Sequence, residues 1–176
     1  GTLSLTGFQG TYLDAFIMGA AGTSPKVVDR FFVNGGSVVG GDNAWFLMGV
    51  DKGRTLLDIA GGTVSLGAVW MGQRTENNID SGLTAGSDGV VGGGLLEARQ
   101  RWNWMGDTQG PRVNAVSLNG GRLRLPATFA GVTNKINQTR LIFTGGTLET
   151  PGGGTDAEDP GDYLKGLKQA YVAQGG

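Results

Sequence analysis

The sequence predicts an all-β protein, a right-handed parallel β-helix (solenoid) of about six coils, and three observations lead there. Glycine supplies 35 of 176 residues, about three times its usual share, yet follows no G-X-Y triplet, and 39% of the chain is apolar. That combination disfavours both collagen and simple disorder. A glycine pair flanked by apolar residues at alternate positions recurs along nearly the whole chain. First glycines at Gly35, Gly61, Gly93, Gly120, Gly145 and Gly175 give intervals of 26, 32, 27, 25 and 30 residues, close to one solenoid coil with loops of varying length.

Taken in order, Gly1-Thr2-Leu3-Ser4-Leu5 reads as the second half of a rung. Five full copies follow, centred on Gly35-Gly36, Gly61-Gly62, Gly93-Gly94, Gly120-Gly121 and Gly145-Gly146. Residues two apart on a strand share a face. Two before the first glycine stand Val33, Ile59, Val91, Leu118 and Phe143; three after it stand Val38, Val64, Leu96, Leu123 and Leu148. Both sets are expected inside. Phe31, Leu57, Val116 and Leu141 extend the inner row, with Gly89 as the exception. Asn119, Arg122 and Glu149 are expected outside. Glycine suits the bend between strands because it accepts φ > 0 and close backbone approach.

A second strand row follows three of the pairs, at Trp45-Phe46-Leu47-Met48, Trp70-Met71 and Trp104-Met105, which places Trp45, Trp70 and Trp104 at one repeated position. Residues 151–171 read as a loop and short helix insertion, with Asp162 as cap and Leu164, Leu167 and Tyr171 on one face. The chain is expected to form a single domain over 1–176. Short strands with glycine turns also fit a β-sandwich, the alternative architecture.

These rungs resemble the autotransporter-associated β-strand repeats of bacterial surface proteins. The resemblance rests on Val64-Ser65-Leu66-Gly67 running into Trp70-Met71-Gly72. It rests also on Leu141 to Leu148 followed by Asp162-Tyr163-Leu164-Lys165-Gly166-Leu167 and Tyr171-Val172-Ala173-Gln174-Gly175-Gly176. It implies a passenger-type β-helix, exported and displayed outside the cell. It implies no reaction, because the repeat is a scaffold.

Composition narrows the chemistry. With 14 basic and 15 acidic residues the net charge is −1, and scattered arginines make no field for nucleic acid. Cysteine and histidine are both absent, which removes thiolate and imidazole metal sites, a cysteine nucleophile and a Ser-His-Asp triad. No stretch approaches the ~20 apolar residues of a membrane span. Residues 1–20 lack a signal-peptide pattern, so an exported protein would be represented here by a processed or excised chain.

Several groups are candidates for binding or catalysis. Asp156, Glu158, Asp159 and Asp162 form the best metal candidate, a calcium site, against the plainer reading of a solvated loop with a helix cap. Asp51, Asp58, Asp80, Asp88 and Asp107 are carboxylates on neighbouring rungs, as a polysaccharide-degrading β-helix would need, but form no distinctive motif. Trp45, Trp70, Trp102 and Trp104 are glycan-stacking candidates, although a repeated position argues for a packing ridge. Arg99, Arg101, Arg112, Arg122, Arg124 and Arg140 would hold an acidic polysaccharide if the rungs aligned them. Asn137-Gln138-Thr139 matches a glycosylation sequon and reads more simply as a turn.

The expectation is therefore a structural or adhesive module of an extracellular or cell-surface fibre. It uses no cofactor and performs no reaction. The rivals are a carbohydrate-binding module and a fragment of a polysaccharide-degrading enzyme. The opening half-rung and the closing Gly175-Gly176 are complementary in register. The partner is thus expected to be a second copy, head to tail, or flanking repeats of a longer chain.

Overall fold

The computed structural model describes residues 1–7, 15–18, 28–50, 54–74, 85–104, 112–126, 129–130, 138–149 and 169–172. Among them there are eleven strands and no helix: β1 (Thr2–Leu5), β2 (Phe16–Ile17), β3 (Val28–Gly40), β4 (Trp45–Val50), β5 (Arg54–Arg74), β6 (Ala85–Val91), β7 (Leu95–Trp104), β8 (Arg112–Arg124), β9 (Phe129–Ala130), β10 (Gln138–Glu149) and β11 (Gln169–Val172). All eleven belong to one hydrogen-bonded sheet. Every described pairing is parallel. A sandwich of hairpins needs antiparallel neighbours, so that alternative is set aside. Tyr171 lies on β11 and not on a helix face, which corrects the expected helix at that residue; 150–168 lie outside the described residues.

The pairings sort into three ladders. The first joins residues 28–33, 54–59, 85–91, 112–118, 138–143 and 169–172. The second joins 2–5, 37–40, 63–66, 95–98, 122–124 and 147–149. A third joins 16–17, 45–50, 68–74, 101–104 and 129–130. One long strand, β5, crosses all three. The row between β5 and β8 is instead broken at Gly92–Gly94 into β6 and β7, so β5, β6, β8 and β7 close a four-membered circuit of pairs.

The expected register holds residue by residue. Leu3, Val38, Val64, Leu96, Leu123 and Leu148 are successive partners in the second ladder. Val33, Ile59, Val91, Leu118, Phe143 and Val172 are successive partners in the first. Val38, Val64, Leu96, Leu123, Ile59, Val91 and Leu118 are buried in one cluster with Phe46, Val69 and Trp102 of the third ladder, so the three ladders share a core. Fully burying one such side chain stabilises by roughly 1.5–3 kcal/mol. Phe143 and Leu148 are only half-buried. Phe16, Phe31 and Phe46 meet at one end, with ring centroids 5.1 to 6.2 Å apart.

The second glycine of each pair explains why the motif recurs. A Cβ at Gly62 would collide with the Gly36 carbonyl oxygen, at Gly94 with that of Gly62, and at Gly146 with that of Gly121. At Gly121 it would lie 2.6 Å from Gly94 O. Backbone therefore packs on backbone through the bends. Gly36, Gly62 and Gly146 also have φ of +74°, +83° and +91°, a region L side chains rarely adopt.

Candidate functional site

The outward column of the second ladder carries the densest polar network among the described residues. One position beyond the inner Val64, Leu96, Leu123 and Leu148, the residues Ser65, Glu97, Arg124 and Glu149 are successive register partners. Parallel stacking holds such residues within reach of one another, so a column of alternating charge pairs with itself. Arg124 Nη1 lies 2.8 Å from Glu97 Oε1, and its Nη2 lies 2.7 Å from Glu149 Oε2. The Ser65 hydroxyl donates to Glu97 Oε2 at 2.5 Å.

Arg99 lies two residues along β7 from Glu97. It donates to Ser65 Oγ at 2.6 Å, to Asp42 Oδ1 at 3.2 Å and to the Gly40 carbonyl. It thus fastens the corner 40–43 to the ladder. Burial alone would raise the Glu97 carboxyl. The hydrogen bonds from Ser65 and Arg124, with the charges of Arg124 and Arg99, outweigh it and hold Glu97 below the usual carboxylate range. Hydrogen bonds to Glu97 and Glu149 raise the Arg124 guanidinium in turn.

This network answers the expectation of an arginine row for acidic polysaccharide. Arg99 and Arg124 are engaged by Asp42, Glu97 and Glu149, and Arg122 Nη1 lies 3.5 Å from Glu149 Oε1. The register separates the others: Arg101 pairs with Ala68, Arg112 with Ala85 and Arg140 with Ala115. Sequence reasoning placed Arg122 and Glu149 on the solvent side without drawing this column. Its signal was present, since Glu97, Arg124 and Glu149 each follow an inner leucine.

The tryptophans do not share one register. Trp45 pairs with Ala68, Trp70 with Leu47 and Asn103, and Trp104 with Met71. This corrects the repeated position. Trp45 and Trp70 still meet, with ring centroids 5.0 Å apart and planes at 20°, and both are half-buried. Trp102 pairs with Val69 and is fully buried, so it is core and offers no face to a sugar.

Asp58 is half-buried between Phe32 and Val90 in its ladder, and Asp88 pairs with Leu56 and Ala115, one strand away in a different register column. Asp51, Asp80, Asp107, the calcium candidates Asp156, Glu158, Asp159 and Asp162, and Asn137 lie outside the described residues. Among the described residues no three acidic side chains converge as a metal site would require.

The ends of the sheet are the remaining feature. Toward one end β1 covers residues 37–40 of β3, whereas among the described residues nothing pairs with residues 28–33 on the side away from β5. A groove of about 440 Å³ opens there, lined by Thr2, Leu3, Phe31, Phe32, Val33 and Val38 among others. Toward the other end β11 covers residues 140–143 of β10, and residues 147–149 have a described partner on one side only, β8. The exposed large apolar residues of the described chain are Leu3, Phe32 and Val172, all at these ends. No protein-family model, curated protein or solved structure matches the chain.

Proposed function

We propose that this chain is a structural module of an extracellular bacterial fibre or surface layer, a right-handed parallel β-helix that associates end to end. The observation that carries this reading is where apolar surface remains uncovered. On the second ladder the outward column Ser65, Glu97, Arg124 and Glu149 is polar and, with Arg99, pairs internally. At the ends Leu3, Phe32 and Val172 are exposed beside strand edges that parallel pairing would extend. Natural sheets normally cover or pair such edges. The likeness of the glycine-pair rungs to autotransporter-associated repeats supports the extracellular setting. Electron microscopy with light scattering over rising concentration tests the reading. Rods that lengthen with concentration are expected, and a monodisperse monomer throughout would overturn it.

The stacked, half-buried Trp45 and Trp70 favour one second reading, a carbohydrate-binding module with that pair as its platform. A glycan array separates the two. Binding lost in Trp70→Ala but retained in Val172→Asp would support the sugar platform.

A further inference from the structure

We infer that the outer face of the third ladder binds an acidic glycan, one uronate ring lying against the stacked Trp45 and Trp70 while its carboxylate pairs with Arg101. The inference rests on the sugar-platform reading, whose ligand class it names, and does not depend on whether copies associate. On β4, β5 and β7 the inner positions are Phe46, Met48, Val69, Met71 and Trp102. The positions between them face outward in two columns. Trp45, Ala68 and Arg101 are successive partners in one, and Leu47 and Trp70 are partners in the other. β2 lies beside Phe46 and Leu47 on one side and β7 beside Val69 and Trp70 on the other, so this face belongs to the interior of the ladder.

Trp45 and Trp70 stand at opposite corners of a square patch whose other corners are Ala68 and Leu47. Ala68 ends at its Cβ, which leaves the space where the two indoles meet, with centroids 5.0 Å apart and planes 20° from parallel. Leu47 and Ala68 are 0% and 1% exposed although neither belongs to the inner cluster, so they are covered from outside, where the indoles are their same-face neighbours. The indoles themselves are half-buried and keep part of their surface. Such a surface is apolar and rigid, suited to the C–H face of a sugar ring. Arg101 supplies the polar group that fixes orientation in a site of this kind. It follows Ala68 in its column and stands diagonally to Trp70, with Cα atoms about 8 Å apart at the parallel spacing. It is exposed, and among the described residues no hydrogen bond or ion pair engages it, whereas Arg99, Arg122 and Arg124 are held by Asp42, Glu97 and Glu149. A guanidinium meets a carboxylate through two parallel N–H donors. In a uronate the carboxylate is attached to the ring, so a ring on the indoles carries it to the Arg101 side. One cation matches one charge per ring. A densely sulfated polymer needs a basic field, which a chain of net charge −1 lacks.

Affinity electrophoresis through gels holding polygalacturonate, dextran sulfate or dextran tests this, with far-ultraviolet circular dichroism checking the fold of each variant. The parent should be retarded most by polygalacturonate. Arg101→Gln should weaken that binding roughly tenfold, as loss of a charge-assisted hydrogen bond does. Trp70→Ala should weaken it roughly two- to tenfold, the range of one aromatic contact. Should Trp70→Ala not fold, Trp70→Phe is read in its place and should also bind more weakly than the parent. Arg122→Gln removes an exposed arginine from the second ladder and should bind as the parent does. Equal weakening in Arg101→Gln and Arg122→Gln would reduce the binding to net charge and overturn the inference, as would tighter binding to dextran sulfate. Dextran held as tightly as polygalacturonate, with loss in the Trp70 variant and none in Arg101→Gln, would keep the sugar platform and remove the carboxylate. A folded parent that binds none of the polymers would overturn both and leave the end-to-end reading standing.

Discussion

Replacing Gly62 by alanine puts the backbone stacking to its sharpest test. Gly62 has φ +83°, where an L residue costs about 1–2 kcal/mol. The new methyl would press on the Gly36 carbonyl oxygen, which cannot swing away as a flexible side chain could. Forcing an extra carbon into such packing costs a further ~1–3 kcal/mol. The expected loss is therefore ~2–5 kcal/mol. Gly35 is the control, because nothing lies within 4 Å of its added Cβ and it is not among the positive-φ glycines. Gly35→Ala should be neutral, or up to about 1 kcal/mol more stable through a less free unfolded chain. Urea unfolding followed by far-ultraviolet circular dichroism reads both. A Gly62→Ala midpoint equal to that of Gly35→Ala would refute the stacking.

Leu123→Ala should cost ~2–5 kcal/mol, whereas Leu3→Ala, in the same ladder but exposed, should cost about 1 kcal/mol or less; equal losses in urea unfolding would contradict the position of the core. At Gly89 an added Cβ would sit 3.5 Å from Val116 Cγ2, an ordinary contact, so Gly89→Ala should raise stability by up to ~1 kcal/mol. A clear drop in its melting temperature would show that the first ladder is out of register there. Glu97 gives a pH dependence. Its carboxyl is held below its unfolded value, so its contribution is full above the unfolded pKa and is lost as pH falls through the folded one. Unfolding midpoints measured from pH 6 down to about pH 3 should fall less steeply in Glu97→Gln than in the parent. Parallel curves would remove Glu97 from the network.

The inner columns were legible because the distance from a glycine pair to its flanking apolar residues never changes. Val33, Ile59, Val91, Leu118 and Phe143 each stand five residues before their partners in the second ladder, so one count aligned every row. The third ladder was not legible by the same count, because the corner before it varies in length. Residues 41–44 fill it in one row, Gly67 alone in the next and 99–100 in another, as the partners Leu5 and Gly40, Leu66 and Ala98, Trp45 and Ala68, and Ala68 and Arg101 require. Trp45, Trp70 and Trp104 consequently slip out of line. A Cβ at Gly67 would strike the Asp42 backbone, a contact between two corners that no single-row pattern reveals. Tyr171 was placed on a helix by its spacing from Leu164 and Leu167. Its pairing with Ile142 instead reflects an open strand edge on β10 that local spacing cannot display.

Parallel, in-register stacking is the central claim, and spin-label distances measure it most directly. One label at Thr147 is paired in turn with a second at Thr2, Ser37 or Thr63, each diluted into unlabelled chain so that only distances within one copy are read. These positions lie five, four and three steps from Thr147 along one column. At about 4.8 Å per step the separations should be roughly 24, 19 and 14 Å, shortening evenly as the second label moves one row nearer. Distances that failed to shorten in that order would contradict the account.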